Sequence, residues 1–192
     1  MDGGVMAACD CCGCIFESDY GTSIITGTGT KPDPYQISIV DTAWIRPAAR
    51  VRRAALQAIP TGAAFTAITF DTEVFDQGGN FWVVAAPTRL TIPLSGLYIF
   101  GGCGIWAGNA TGTRELGVRL NGSTIIAVND QPPDATSGAG NTPWQQITYQ
   151  KILGEGDYLE LVARQESGGS LNMTAEADDA IVFWIVYAGR TI

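Results

Sequence analysis

The chain has 192 residues, 24 of them glycine, and only 16% are charged. That composition suits a turn-rich β protein and argues against a helical or disordered one. A formal charge of −8 speaks against nucleic acid as a partner. The lack of histidine removes Ser-His-Asp and Cys-His nucleophilic machinery and imidazole acid–base work.

Residues 1–46 show no helical period and read as an attachment segment ahead of one larger domain, 47–192. Cys9, Cys11, Cys12 and Cys14 crowd together near its start. Four thiolates can hold Zn²⁺ or an iron–sulfur cluster. Structural zinc, however, takes Cys-x₂₋₄-Cys knuckles separated by a loop, and this spacing is too tight for one chain to wrap a tetrahedron easily. A metal site shared between chains, disulfides between chains and reduced thiols all stay open. Residues 23–26 and 35–40 read as two short strands around a Gly/Pro turn, with too little apolar surface for a core of their own. Gly27-Thr28-Gly29-Thr30 lacks the Gly-Lys-Ser/Thr ending of a phosphate loop and reads as a turn.

From residue 48 onward one strand follows another. Residues 48–59 are read as a strand, although their Ala and Arg also suit a helix. Further strands are expected at 67–70, 80–85, 89–94, 97–101 and 104–107. Residues 90–113 carry no charge, but Pro93 and repeated glycines interrupt them, so no membrane insertion is expected. Leu116, Val118 and Leu120 alternate with Gly117 and Arg119. Asn121-Gly122 then signals a two-residue hairpin into 124–128. A polar loop over 129–142 leads to strands at 144–153, 158–163, 171–175 and 181–187. No helix separates them, which means a sandwich or barrel.

The last strand is apolar on both faces. Ile181, Phe183, Ile185 and Tyr187 alternate with Val182, Trp184 and Val186. An ordinary antiparallel strand hides one face. This strand and 97–100 are therefore expected side by side, on a sheet that meets a second copy of the chain.

Chemistry is sparse. Asp71, Glu73 and Asp76, and later Glu176, Asp178 and Asp179, read as solvated loop carboxylates, with a Ca²⁺ site as the alternative. Nothing suggests the two-carboxylate cleft of a glycosidase, so no enzyme is expected. Of Trp82, Trp106, Trp144 and Trp184, most should be buried. Trp106 and Trp144 lie near loops and are the candidates for a binding surface. Cys103, between Gly102 and Gly104, is expected to be a small buried hydrophobe.

Three stretches together resemble the C1q/TNF-like jelly-roll family. Arg89-Leu90-Thr91-Ile92-Pro93-Leu94-Ser95-Gly96-Leu97-Tyr98-Ile99-Phe100 resembles its P-x-x-G-x-Y-x-F core. Phe70-Asp71, Phe75-Asp76 and Gly79-Asn80-Phe81 resemble the segment before it, and Leu153-Gly154-Glu155-Gly156-Asp157-Tyr158-Leu159-Glu160-Leu161 the later L-x-x-G-D-x-L-x-L stretch. The resemblance covers roughly residues 48–188. It implies an antiparallel jelly-roll sandwich forming a homotrimer, with inner sheets around a threefold axis. Tyr98, Phe100, Phe183, Ile185 and Tyr187 are the interface candidates. No collagen-like Gly-X-Y repeat precedes the domain.

Residues 25–30 with 33–38 are similar to a G-T-G-T-x-x-D-P-Y-x-I segment of tailed-bacteriophage virion proteins. That implies a tail-tip, fibre or head-decoration protein. Its N-terminal segment would dock on other virion proteins, and its loops 109–114, 129–142 and 166–170 would display outward, toward a host-surface glycan or protein receptor. Asp2 and the lack of a long apolar stretch argue against a secretory signal, so assembly into a virion in the host cytoplasm is expected. A bacterial spore- or cell-surface C1q-like protein and a cell-wall polysaccharide-degrading virion enzyme are the alternatives.

Overall fold

A computed structural model describes the backbone of residues 5–10, 13–18, 21–26 and 36–40, and residues 46–133, 144–174 and 180–190 in full. The chain divides into two compact units, Met1–Ile45 and Arg46–Ile192. Among the described residues there is no helix.

In the first unit, β1 (Val5–Asp10), β2 (Gly13–Ser18), β3 (Gly21–Thr26) and β4 (Gln36–Val40) pair antiparallel in chain order. β3 and β4 match the strands read from sequence. β1 and β2 escape that reading because Ala and Asp in the first, and Gly and Glu in the second, are poor strand formers. Between β1 and β2 the Cα partners run Cys9↔Cys14 and Asp10↔Gly13.

The second unit is a two-sheet sandwich. Its strands are β5 (Ala48–Arg52), β6 (Gln57–Ile59), β7 (Thr66–Ala67), β8 (Thr72–Gln77), β9 (Arg89–Thr91) and β10 (Gly96–Trp106), followed by β11 (Arg114–Leu120), β12 (Thr124–Gln131), β13 (Trp144–Leu153), β14 (Tyr158–Gln165), β15 (Leu171–Thr174) and β16 (Val182–Gly189). One sheet runs β6-β15-β10-β16-β5-β8, with β13 also on β10. β13 and β16 pair the same stretch of β10, so they lie on its opposite edges. The other sheet runs β12-β11-β14-β7, with β9 also on β14.

Alternation in each sheet sends one set of side chains between the layers. Tyr98, Phe100, Phe183 and Ile185 meet Leu116, Val118, Leu159 and Leu161 in one core. Phe70 stacks on Phe183 with ring centroids 6.0 Å apart. Gly102 and Gly104 let the core close. A Cβ at Gly102 would lie 2.8 Å from Leu161 Cδ1, and one at Gly104 would collide with Met173.

Several strand boundaries differ from expectation. The stretch 48–59 is two strands, parted where the Arg53 N–H donates to the Ile181 carbonyl and the Ala54 N–H to the Asp71 carboxylate. The stretch 80–85 is not a strand. Asn80 has φ of 50°, the Trp82 N–H donates to Asp76 Oδ2, and the Ala86 N–H closes a turn onto Val83. Its apolar residues reflect Phe81 and Trp82 entering the core from a loop. β8 is a strand despite its acidic residues. The stretches 97–101 and 104–107 join as the single β10. The Asn121-Gly122 turn forms with both residues left-handed, at φ of 51° and 70°, but Leu120 pairs with Thr124, so Ser123 joins the loop and it has three residues rather than two.

Candidate functional site

β10 and β16 are neighbours, as expected, with Phe100 opposite Ile185 and Gly101 opposite Trp184. Cross-strand partners share a face, so this register sorts both strands into two sets. The set facing the core contains all five residues predicted to meet a neighbouring copy. Tyr98, Phe100, Phe183 and Ile185 are 0% exposed within a single chain. The fifth, Tyr187, is half-buried against the same core, its ring 5.2 Å from that of Tyr98. The adjacency of β10 and β16 is as read, but four of the five interface candidates are core residues. Those five side chains belong to the sandwich, and the outward-pointing set is Leu97, Ile99, Val182, Trp184 and Val186, of which Val182 is itself buried.

That outward face holds a shallow depression of about 560 Å³. Trp184 forms its floor. It lies over Gly101, where a Cβ would come within 2.9 Å of indole Cζ2 and nearer still to the Ile147 carbonyl. Arg50 on β5 is the Cα partner of both Trp184 and Phe75, which places a cation between two aromatic residues. Cys103 and Thr148 line the opposite side. Cys103 is thus half-buried on the outward face rather than a core residue. Trp144, one of the two tryptophans read as surface candidates, is 55% exposed at the rim. Ile99 (38% exposed) and Ile152 (61% exposed) continue the apolar surface.

Trp106, the other surface candidate, is 0% exposed, and that reading is corrected. Its indole N–H donates to Gln145 Oε1 at 2.7 Å. The Gln145 amide donates in turn to the carbonyls of Arg114 (2.7 Å) and Asn129 (3.3 Å). Arg114 is itself buried beneath the loop that follows β10, donating to the carbonyls of Asn109, Thr111, Gly112 and Thr113. Burial holds its guanidinium below the usual arginine pKa. The position near a loop read correctly. Partners on other strands, invisible in a local window, pulled the ring inside.

The outward face of the other sheet has a different chemistry. Arg119 Nε donates to Glu160 Oε2 at 2.8 Å across β11 and β14. Arg164 Nε donates to Glu115 at 3.0 Å, and Arg164 also lies over the Phe65 ring. Donating to the Glu115 carboxylate raises the Arg164 pKa.

Of the carboxylates read as a Ca²⁺ alternative, Asp71 and Asp76 are in structural use. Asp71 accepts from the Ala54 N–H and the Thr72 hydroxyl. Burial alone would raise its pKa, but those hydrogen bonds and the Arg53 charge together hold it below the usual value. Asp76 accepts from Trp82. Among the described residues no three Cys, Asp or Glu side chains come together as a metal site. Glu176, Asp178, Asp179, Cys11 and Cys12 lie outside the described residues, and Cys9 and Cys14 are placed by backbone only.

No protein-family model matches the chain. It is 25% identical over 143 residues to an uncharacterised protein of Acanthamoeba polyphaga mimivirus, covering 66% of this chain and 61% of that protein. The chain thus spans about three-fifths of that relative's length. Among solved structures it is similar to the globular domain of zebrafish complement 1qA, with a TM-score of 0.53, 14% identity, and coverage of 76% of this chain and 100% of that one. Murine APRIL gives 0.55, 10% identity, and 74% and 98% coverage. Eiger TNF from S. frugiperda gives 0.54, 14% identity, and 77% and 96% coverage. The fold is the antiparallel C1q/TNF-like jelly roll.

Proposed function

We propose that this chain is a non-enzymatic, homotrimeric structural module of a virus particle, with a tail-tip, fibre or head-decoration role in a tailed phage as the narrower form. The outward face around Trp184, Ile99 and Val186 carries the reading. Burying one large apolar side chain contributes about 1.5–3 kcal/mol. Three or four such residues per chain, repeated around a threefold axis, supply a firm assembly. The jelly-roll fold, with the homotrimer that the sequence resemblance implies, supports this use of the face. The viral relative and the G-T-G-T-x-x-D-P-Y-x-I resemblance support residence in a virion.

In this reading the module works by docking and display. The N-terminal segment fixes it to other virion proteins. The loops at 109–114 and 166–170 display toward a host-surface glycan or protein, while the expected loop at 129–142 begins inside β12 and lies mostly outside the described residues. Trp144, at the rim of the apolar face, belongs to the assembly.

Sedimentation of the full-length protein tests the assembly. A trimer at micromolar concentration is expected, and a stable monomer overturns it. Mass spectrometry of purified particles tests the location. A chain found only in the soluble fraction of infected cells contradicts the virion assignment. Adsorption of isolated trimer to host cells separates a receptor-binding role from a purely structural one.

A further inference from the structure

The cysteine cluster falls on a hairpin whose register is informative. Cys9 on β1 and Cys14 on β2 are Cα partners, and the next pair inward is Asp10 with Gly13. Cys11 and Cys12 form the link between them in sequence. Directly opposed residues in an antiparallel pair have Cα atoms about 4.5 or 5.5 Å apart, depending on the hydrogen-bonding site. Disulfides span Cα separations of about 4.4–6.8 Å. Either site is therefore within disulfide range without moving the backbone. A unit the size of Met1–Ile45 is also one for which a covalent or metal staple usually supplements a small core.

We infer that Cys9 and Cys14 form an intrachain disulfide that pins β1 to β2. It forms by exchange with a small-molecule disulfide such as oxidised glutathione. One protein thiolate attacks, giving a mixed disulfide and releasing one small thiol. The second protein thiolate then displaces the other small thiol. The protein loses two hydrogens, and the small disulfide is reduced to two thiols. This bond is independent of how the second unit assembles.

The test uses the full-length chain and its C11S/C12S double variant. Both are incubated with oxidised glutathione, alkylated, and digested with a protease that cleaves before aspartate. Cleavage before Asp10 separates Cys9 from Cys14. The expected product is peptide 2–9 linked to peptide 10–18, lighter by two hydrogens than the free pair and parted by reductant. It comes from the single-chain band of a non-reducing gel. C14S should abolish it. In the wild-type digest, fragmentation should place the link at Cys14, with Cys11 and Cys12 alkylated. Three results overturn the inference: Cys9 and Cys14 both alkylated, linkage found only in multi-chain bands, or a wild-type chain that retains zinc with all four thiols protected.

Discussion

The two outward faces of the sandwich are built from the same kind of strand and have opposite surfaces. On the β10–β16 side, Val182, Trp184 and Val186 line a depression, and Ile99, the Cα partner of Val186, extends its apolar surface. On the β11–β14 side, Glu115 with Arg164 and Arg119 with Glu160 form cross-strand ion pairs. In each pair the carboxylate is largely covered and the arginine more exposed, which suits a face whose cationic heads stay in water. A contiguous apolar surface suits a face that is covered. In the proposed assembly the two faces go to distinct destinations within one fold.

Substitutions on either side break or sharpen that contrast. The largest effect is expected inside, on the strand that carries both kinds of position. Phe183→Ala removes a fully buried ring and should lower unfolding stability by about 3–5 kcal/mol in a denaturant titration. Next comes Ile99→Lys on the apolar face. It should leave circular dichroism unchanged but shift sedimentation from trimer to monomer. A trimer that survives would remove this face from the assembly.

A smaller effect concerns Tyr98. Burial, reinforced by the neighbouring Tyr187, pushes its hydroxyl pKa up to about 12 from the usual 10.0. A raised pKa means the folded chain holds the proton longer than the unfolded one. The resulting stability is fully present below pH 10 and is lost as pH rises through about 12. Tyr98→Phe should flatten that alkaline decline. It should also cost about 1 kcal/mol at neutral pH, from the lost 2.7 Å bond to the Leu94 carbonyl. The smallest effect belongs to the charged face. Glu160→Gln keeps a side-chain oxygen to accept from Arg119, so it should cost about 1 kcal/mol and leave the oligomeric state untouched.

Much of the sandwich was legible in the sequence, because alternation and turn chemistry are local. β13 was readable to its last residue, the Asn-Gly hairpin to its left-handed pair, and the adjacency of β10 and β16 from their doubly apolar pattern. The assignment of faces was not. Period-two alternation says that two sets exist but carries no sign. Only the approach of Leu159 and Leu161 from the other sheet decides that Phe183 points in and Trp184 points out. β8 was missed because its acidic residues look like a loop. Trp106 misled for a related reason: its polar partners, Gln145 and through it Arg114, are far away in sequence.

Gln145 sits where those distant partners converge, and its amide is a rivet between layers. One end holds an indole of the apolar-faced sheet, while the other grips main-chain oxygens of the ion-paired sheet. At that end of the sandwich neither layer can slide without tearing the joint. The loop Arg114 clasps there therefore stands on a fixed footing, and its tip can change residues over evolutionary time without unsettling the platform beneath.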